Sequence, residues 1–247
     1  MQFLEKLIEA TAWPMERPAS YGPFHLIFTF VGLALCILAA YLLRKTDERG
    51  NRIVLWSVGG FLAITELYKQ LFYYFYIGDH SYQWWIFPFQ LCSVPMYLCL
   101  IAPFLKKGKV QSAMYHFMTT FNLLGGAIAF AEPSGLTHEY WTLTLHAFVW
   151  HMLLVFIGFY LIASGRGAKT MKDYGSSVVV FLCLAVVAFV INLIFWAFAP
   201  VRDKTDFATA GCFLTSESGK ILIRRSAEKS GLAISACLKR GNILLTE

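Results

Sequence analysis

Residues 23–43 read PFHLIFTFVGLALCILAAYLL and contain no Asp, Glu, Lys or Arg. At 1.5 Å per helical residue, a run of this length matches the roughly 30 Å hydrocarbon core of a bilayer. Similar apolar runs recur along the chain. Backbone polar groups that face lipid are satisfied only in helices or closed barrels, and these runs lack the alternation of barrel strands. They therefore predict an all-α, polytopic transmembrane helix bundle.

The composition of the whole chain agrees with a membrane bundle. Of its 247 residues, 57% are hydrophobic and 15% are charged, whereas soluble domains carry about 25% charged residues. The net charge of +6 does not indicate nucleic-acid binding, because the basic residues form short clusters between apolar runs. No C-x-x-C pair, phosphate-binding glycine loop or H-E-x-x-H motif occurs, so the sequence indicates neither a metal nor another cofactor.

The apolar runs divide the chain into three parts. The bundle occupies residues 23–200, with six spans predicted at about 23–43, 53–77, 85–105, 112–131, 140–163 and 176–199. Residues 1–22 place Phe3, Leu4 and Leu7 among charged neighbours, which predicts an amphipathic segment on the membrane surface. Residues 201–247 are small, polar, basic and aperiodic. We expect either a loosely ordered tail or a truncation or frameshift near Asp206 that removed a seventh span.

The loops between the spans differ in charge. The second and fourth loops contain no Lys or Arg. The first, third and fifth contain Arg44, Lys45, Arg49, Arg52, Lys106, Lys107, Lys109, Arg166, Lys169 and Lys172. Short basic loops stay in the cytoplasm, so we predict a multi-pass protein of the cell membrane with its N-terminus outside. Its predicted partners are membrane lipids.

Polar side chains from five spans are predicted to lie at one depth. Counted inward from the external ends at 1.5 Å per residue, they fall about 8–16 Å below the outer surface. They are Glu66, Gln90, Cys92, Asn122, His146, His151 and Asn192. Because polar groups in a span are costly, we interpret this layer as an outward-facing polar intramembrane pocket. The alternative is a set of separate interhelical hydrogen bonds, with Glu66 and Lys69 neutralising each other on one helical face.

The Phe-Pro-Phe-Gln-Leu-Cys run at 87–92 resembles the Leu-Pro-Leu-His-Leu-Cys motif of YwaF-type bacterial membrane proteins, which are related to the transmembrane protein 164 family. The similarity extends over residues 20–200 and includes Glu66 and the Glu132-Pro133 pair. It implies seven membrane helices and a lipid acyl-transfer activity that uses a cysteine, which matches Cys92, and a histidine, best matched by His151. This chain departs from the motif at Gln90, where the family has a histidine.

Two functional hypotheses follow. The first is a lipid acyltransferase or acyl hydrolase in which Cys92 is the nucleophile, His151 its base and Glu66 the group that orients the histidine. Its predicted substrate-binding side chains are Gln90, Asn122, His146 and Asn192, with an amide donating to the oxyanion. The second is a transporter or small-solute-binding protein that uses the same polar layer, although no internal repeat relates the two halves of the chain. A scaffold role without pocket chemistry is a third interpretation.

Overall fold

A computed structural model describes residues 2–198, with side chains as far as Ile194. Helices account for most of this part of the chain, which contains no β-strand. The predicted all-α fold is therefore confirmed. The α-helices are α1 (Gln2–Thr11), α2 (Pro23–Leu42), α3 (Glu48–Phe72), α4 (Val94–Ile101), α5 (Lys109–Phe117), α6 (Leu123–Ala131), α7 (Trp141–Ala163) and α8 (Met171–Phe198).

Three helical stretches have the length and composition of membrane spans: Pro23–Lys45, Trp141–Ala163 and Met171–Ile194. Two further helical stretches are also long, although they are more polar. A π-helical turn, Tyr73–Ile77, continues α3, and another, Met118–Asn122, joins α5 to α6. The predicted count of six spans stays a prediction. The predictions for residues 201–247, including a lost seventh span, lie outside the described residues.

The third predicted span, 85–105, is helical only in its second half. The chain forms a 3-10 turn at Trp84–Ile86, passes through bends and turns to Ser93, and enters α4 at Val94. Pro88 and Pro95 account for the break, because proline supplies no N–H and disfavours helix in the residue before it. With 8 residues, α4 is too short to cross a bilayer by itself.

α7 is the central helix of the bundle. It packs along α2 on one side and along the α5–α6 stretch on another. Along most of its length its side chains are buried, with Phe148, Ile157 and Tyr160 fully so. α2 and α8 keep most of their apolar surface exposed, as expected of helices at the lipid-facing edge of a bundle, and α8 packs chiefly against α5.

Contacts between loops define two ends of the bundle. At the basic end, Glu48 lies 3.3 Å from the Lys107 ammonium and 3.4 Å from the Arg166 guanidinium, so the first, third and fifth loops meet. At the opposite end, the Trp141 N–H donates to the Trp13 carbonyl at 3.0 Å. The loops thus alternate between the ends, as the charge pattern predicted, and the orientation in the membrane stays a prediction.

α1 lies across the end opposite the basic loops. Its Ile8 is fully buried in a cluster with Phe72 and Ile86, and Thr11 shares a hydrogen bond of 2.7 Å with the Tyr68 hydroxyl. The exposed side of α1 carries Phe3, Leu4 and Leu7. An amphipathic segment on the membrane surface over residues 1–22 stays a prediction.

Candidate functional site

The site is organised around residues 84–93, a stretch that begins with the 3-10 turn and contains no α-helix, which we call the Cys92 segment. Within a membrane, irregular backbone is tolerated only where protein or a water-filled cavity satisfies its polar groups. Three side chains from neighbouring elements donate hydrogen bonds to its carbonyl oxygens. They are Gln70 Nε2 to Ile86 at 2.8 Å, the Tyr97 hydroxyl to Pro88 at 2.8 Å and Trp150 Nε1 to Cys92 at 3.0 Å. These bonds satisfy carbonyl oxygens that have no α-helical partner in this segment.

Cys92 presents a half-buried thiol on this segment. Its Sγ lies 3.7 Å from Gln90 Oε1, to which the thiol donates. Gln90 is exposed and uses its own Nε2 to donate to the Trp85 carbonyl at 3.1 Å. The amide oxygen accepts this hydrogen bond but is not basic enough to take the proton from the thiol. Gln90 therefore orients the thiol without serving as its base.

Glu66 is a buried carboxylate, 4% exposed, beside this segment. Its Oε1 is 2.9 Å from the Lys69 ammonium and accepts a 2.7 Å hydrogen bond from Gln70 Nε2. Its Oε2 is buried and has no hydrogen-bond partner among the residues described. The neutralising pair considered from the sequence is present, yet it uses only one of the two oxygens and leaves the other available to a ligand.

His151 and His146 lie on different faces of α7, as their spacing of five predicted. His151 Nδ1 is 2.8 Å from the Ala147 carbonyl, which only accepts, so this nitrogen carries the proton and Nε2 holds a lone pair in the neutral ring. His146 packs against the Trp150 ring at 5.3 Å between centroids. Its Nε2 is buried without a partner in the described part of the chain.

The positive charge of Lys69 acts on the thiol and on both imidazoles. Its ammonium interacts electrostatically with Cys92, His146 and His151, and Glu66 also acts on Cys92. Within residues 2–194 no hydrogen bond joins the Cys92 thiol to either histidine. The charges of Lys69 and Glu66 thus act on the thiol and that of Lys69 on the imidazoles, and these predicted groups form no bonded triad in the described part of the chain.

Asn122 and Asn192 differ in their relation to this group. Asn122 ends the second π turn, is 2% exposed and donates from Nδ2 to the Met118 and Leu154 carbonyls, both at 3.2 Å. Its Oδ1 is buried and unpartnered in the described region, so its free atom is an acceptor and not the oxyanion donor that we predicted. Asn192 is half-buried on α8 with contacts of its own. α8 packs chiefly against α5, and the assignment of Asn192 to the site stays a prediction.

Two loop side chains border the site at the end opposite the basic loops. The Tyr82 hydroxyl donates to Gln70 Oε1 at 2.8 Å, and burial, reinforced by the Glu66 carboxylate, raises the pKa of Tyr82 to about 12. Burial, with Arg17 and Lys69 adding to it, lowers the pKa of His138 to about 4. Both side chains are consequently neutral near pH 7.

Four side chains hold the site together, and the sequence did not single out three of them, Tyr82, Tyr97 and Trp150. It placed the fourth, Gln70, on one helical face with Glu66 and Lys69 without giving it a role. For Gln70 the signal in the sequence is its spacing of four from Glu66, which places both side chains on one face of α3. The bond from Trp150 to Cys92 spans 58 positions in the chain, and no local pattern indicates it. Among the described residues, no group of three or more His, Cys, Asp or Glu side chains is placed to hold a metal ion.

These features define a polytopic α-helical membrane protein whose bundle encloses a thiol, an ion pair and two imidazoles. A family model described as the TMEM164 family matches residues 20–207. The chain belongs to the TMEM164 family, which confirms the relationship inferred from the Cys92 motif, while the YwaF-type label stays a prediction. Comparisons with individual curated proteins and with solved structures give no match.

Proposed function

We propose that this protein catalyses acyl transfer or acyl hydrolysis on a membrane lipid, with Cys92 as the nucleophile. The observation that carries the proposal is the placement of Cys92 on a non-helical segment beside the Glu66–Lys69 pair. Cys99 provides the contrast, because it is fully buried in regular helix α4 and packs against the Gly59 backbone. A cysteine that only fills space needs no broken helix and no charged neighbours.

The proposed reaction has two steps. The Cys92 thiolate attacks the ester carbonyl of a lipid, a thioester forms, and the lipid alcohol departs. An acceptor alcohol or water then attacks the thioester and regenerates the thiol. The thiol proton passes to the lone pair on Nε2 of His151 and is returned to the leaving alkoxide.

The surrounding side chains have consistent roles in this reaction. The Lys69 ammonium favours the thiolate, because a nearby positive charge stabilises it. The free Glu66 Oε2 is available to orient an imidazolium once the histidine has gained its proton. Asn122 Oδ1 is available as an acceptor for a hydroxyl or ammonium group of the substrate.

A labelling experiment tests this proposal. The full chain is reconstituted in vesicles with a phospholipid whose acyl chain carries an alkyne, and thioester-linked label is located by peptide mass spectrometry. We expect label on Cys92, loss of label in Cys92→Ala, and turnover reduced by about 100-fold or more. Cys99→Ala is the matched control and keeps both. Undiminished labelling and turnover in Cys92→Ala would contradict the proposal.

Solute transport or binding is a second candidate, which the unpartnered Glu66 Oε2 favours. A buried carboxylate with one open oxygen beside a Lys suits proton coupling as well as catalysis. In this case Glu66→Gln abolishes solute-dependent proton uptake into vesicles while Cys92→Ala leaves it intact. The two variants therefore separate the two functions.

A further inference from the structure

We propose that Gln70, held in one orientation by Tyr82, is a positioning residue that fixes the Glu66 carboxylate against the Cys92 segment. This inference rests on the proposed function for its effect on turnover, whereas its effect on Glu66 is measurable without any substrate. It assigns a role to a loop tyrosine and an α3 glutamine that no sequence motif indicates.

The orientation of the Gln70 amide is fixed by the chemistry of its neighbours. One end of the amide faces Glu66 Oε1 at 2.7 Å and the Ile86 carbonyl at 2.8 Å. An ionised carboxylate and a carbonyl only accept, so this end is the NH₂ group and both of its hydrogens are used. The other end is therefore the oxygen, and the Tyr82 hydroxyl donates to it at 2.8 Å.

Tyr82 keeps the amide from rotating. If the amide flipped, its NH₂ group would face a hydroxyl and its oxygen would face two acceptors, with three hydrogen bonds lost or weakened. Tyr82 retains its proton up to a pKa of about 12, so it remains a donor throughout the physiological range. The Tyr82 hydroxyl thus stabilises the amide orientation in which Gln70 donates to Glu66.

The result is a carboxylate with two unequal oxygens. Gln70 and Lys69 both bind Glu66 Oε1, which leaves Oε2 as the oxygen that is open to a ligand or an imidazole. The second Gln70 hydrogen ties the same amide to Ile86, the residue that ends the 3-10 turn of the Cys92 segment. One side chain therefore positions the acid and the nucleophile segment together.

Infrared spectroscopy and thiol alkylation test this role in three variants. Carboxylate bands of Glu66 are assigned by their loss in Glu66→Gln, and Cys92 alkylation by a maleimide is followed by peptide mass spectrometry. We expect Gln70→Glu, Gln70→Leu and Tyr82→Phe each to shift the Glu66 bands and change the alkylation rate. Loss of one hydrogen bond of ordinary strength corresponds to a change of roughly three- to tenfold in alkylation and turnover.

The isosteric variant separates positioning from simple packing. Gln70→Glu keeps the size of the side chain but replaces its donors by a second acceptor next to Glu66, so we expect it to be at least as damaging as Gln70→Leu. A packing role predicts the reverse order. Tyr74→Phe is the matched control, because Tyr74 packs by its ring against Phe75 and His80, and it should leave bands and alkylation unchanged.

The outcomes distinguish this inference from the proposed function. Unshifted Glu66 bands in both Tyr82→Phe and Gln70→Glu would overturn the positioning role, whatever the turnover. Shifted bands together with full turnover in Cys92→Ala would retain the positioning of Glu66 and reject catalysis by Cys92. Thermal unfolding of each variant in detergent checks that the bundle is intact.

Discussion

Two buried polar networks lie at opposite ends of the bundle, and they differ in whether every atom has a partner. At the basic end, Asn51 donates to the Tyr115 hydroxyl at 3.1 Å and accepts from the Tyr160 hydroxyl at 3.1 Å. Because Tyr160 has only one hydrogen, Thr46 donates in the 2.7 Å bond that it shares with that hydroxyl. This network is closed.

The network around the Cys92 segment is open. Within the described side chains, Glu66 Oε2, Asn122 Oδ1 and His146 Nε2 are buried and lack partners. An unmade hydrogen bond at a buried group costs about 1–3 kcal/mol, so a network that is purely structural is expected to close, as the Asn51 network does. The Asn51 network thus links helices through satisfied hydrogen bonds, and the unpartnered atoms at the other end agree with the ligand site that we propose there. Each prediction below tests that contrast.

The largest effect is expected from Glu66→Gln. The substitution preserves size and hydrogen bonding but removes the charge, so turnover should fall by about 100-fold or more if Glu66 acts in the chemistry. The free energy of unfolding in mixed detergent micelles should fall by roughly 3 kcal/mol, because the largely buried Lys69 ammonium loses its counter-charge, so turnover is measured per folded molecule. Turnover within twofold of wild type would remove Glu66 from the site.

The next effect is a dependence of stability on pH through His138. Its pKa is about 4 in the folded protein and about 6.5 when unfolded. The unfolded state thus binds the proton first, so stability falls as pH drops from 6.5 to 4, by roughly 2–3 kcal/mol at most. His138→Gln should remove this loss in detergent unfolding titrations. His80→Gln, at an exposed loop histidine, is the control that should retain it.

A comparable loss of stability, without loss of chemistry, is expected from Asn51→Ala. The variant removes the amide that joins the Tyr115 and Tyr160 hydroxyls. We expect the free energy of unfolding to fall by about 2 kcal/mol. Turnover per folded molecule should remain at the wild-type value, in contrast to Glu66→Gln. A large drop in turnover with unchanged stability would mean that the two networks are coupled.

The smallest effect is expected from Tyr160→Phe. Removing this hydroxyl breaks the bonds to Asn51 and Thr46 but leaves the ring stacked on Phe156, so the unfolding free energy should fall by about 1 kcal/mol. Tyr174→Phe, at an exposed tyrosine on α8, is the matched control with no expected loss. Equal effects in the two variants would show that the Asn51 network contributes little.

Sequence reasoning predicted the helical membrane fold, the alternation of basic loops and most of the polar groups at the site. The assignment of Glu66, Cys92, His151 and Asn192 to one functional site stays a prediction. The sequence predicted a continuous third span over residues 85–105, whereas regular helix begins only at Val94. Proline positions indicate that a helix is disturbed, but they do not indicate which carbonyls other helices will satisfy.

The amino-acid sequence by itself determines that this chain enters a membrane as helices, because long apolar runs have no other way to satisfy their backbone in lipid. It also determines which polar side chains enter with them. Only the tertiary structure decides which of these find partners, because Gln70, Trp150 and Cys92 lie on separate elements that packing brings together. That packing gives the polar atoms of the Asn51 network hydrogen-bond partners and leaves Glu66 Oε2 without one among the described residues. This difference distinguishes the basic end of the bundle from the candidate site.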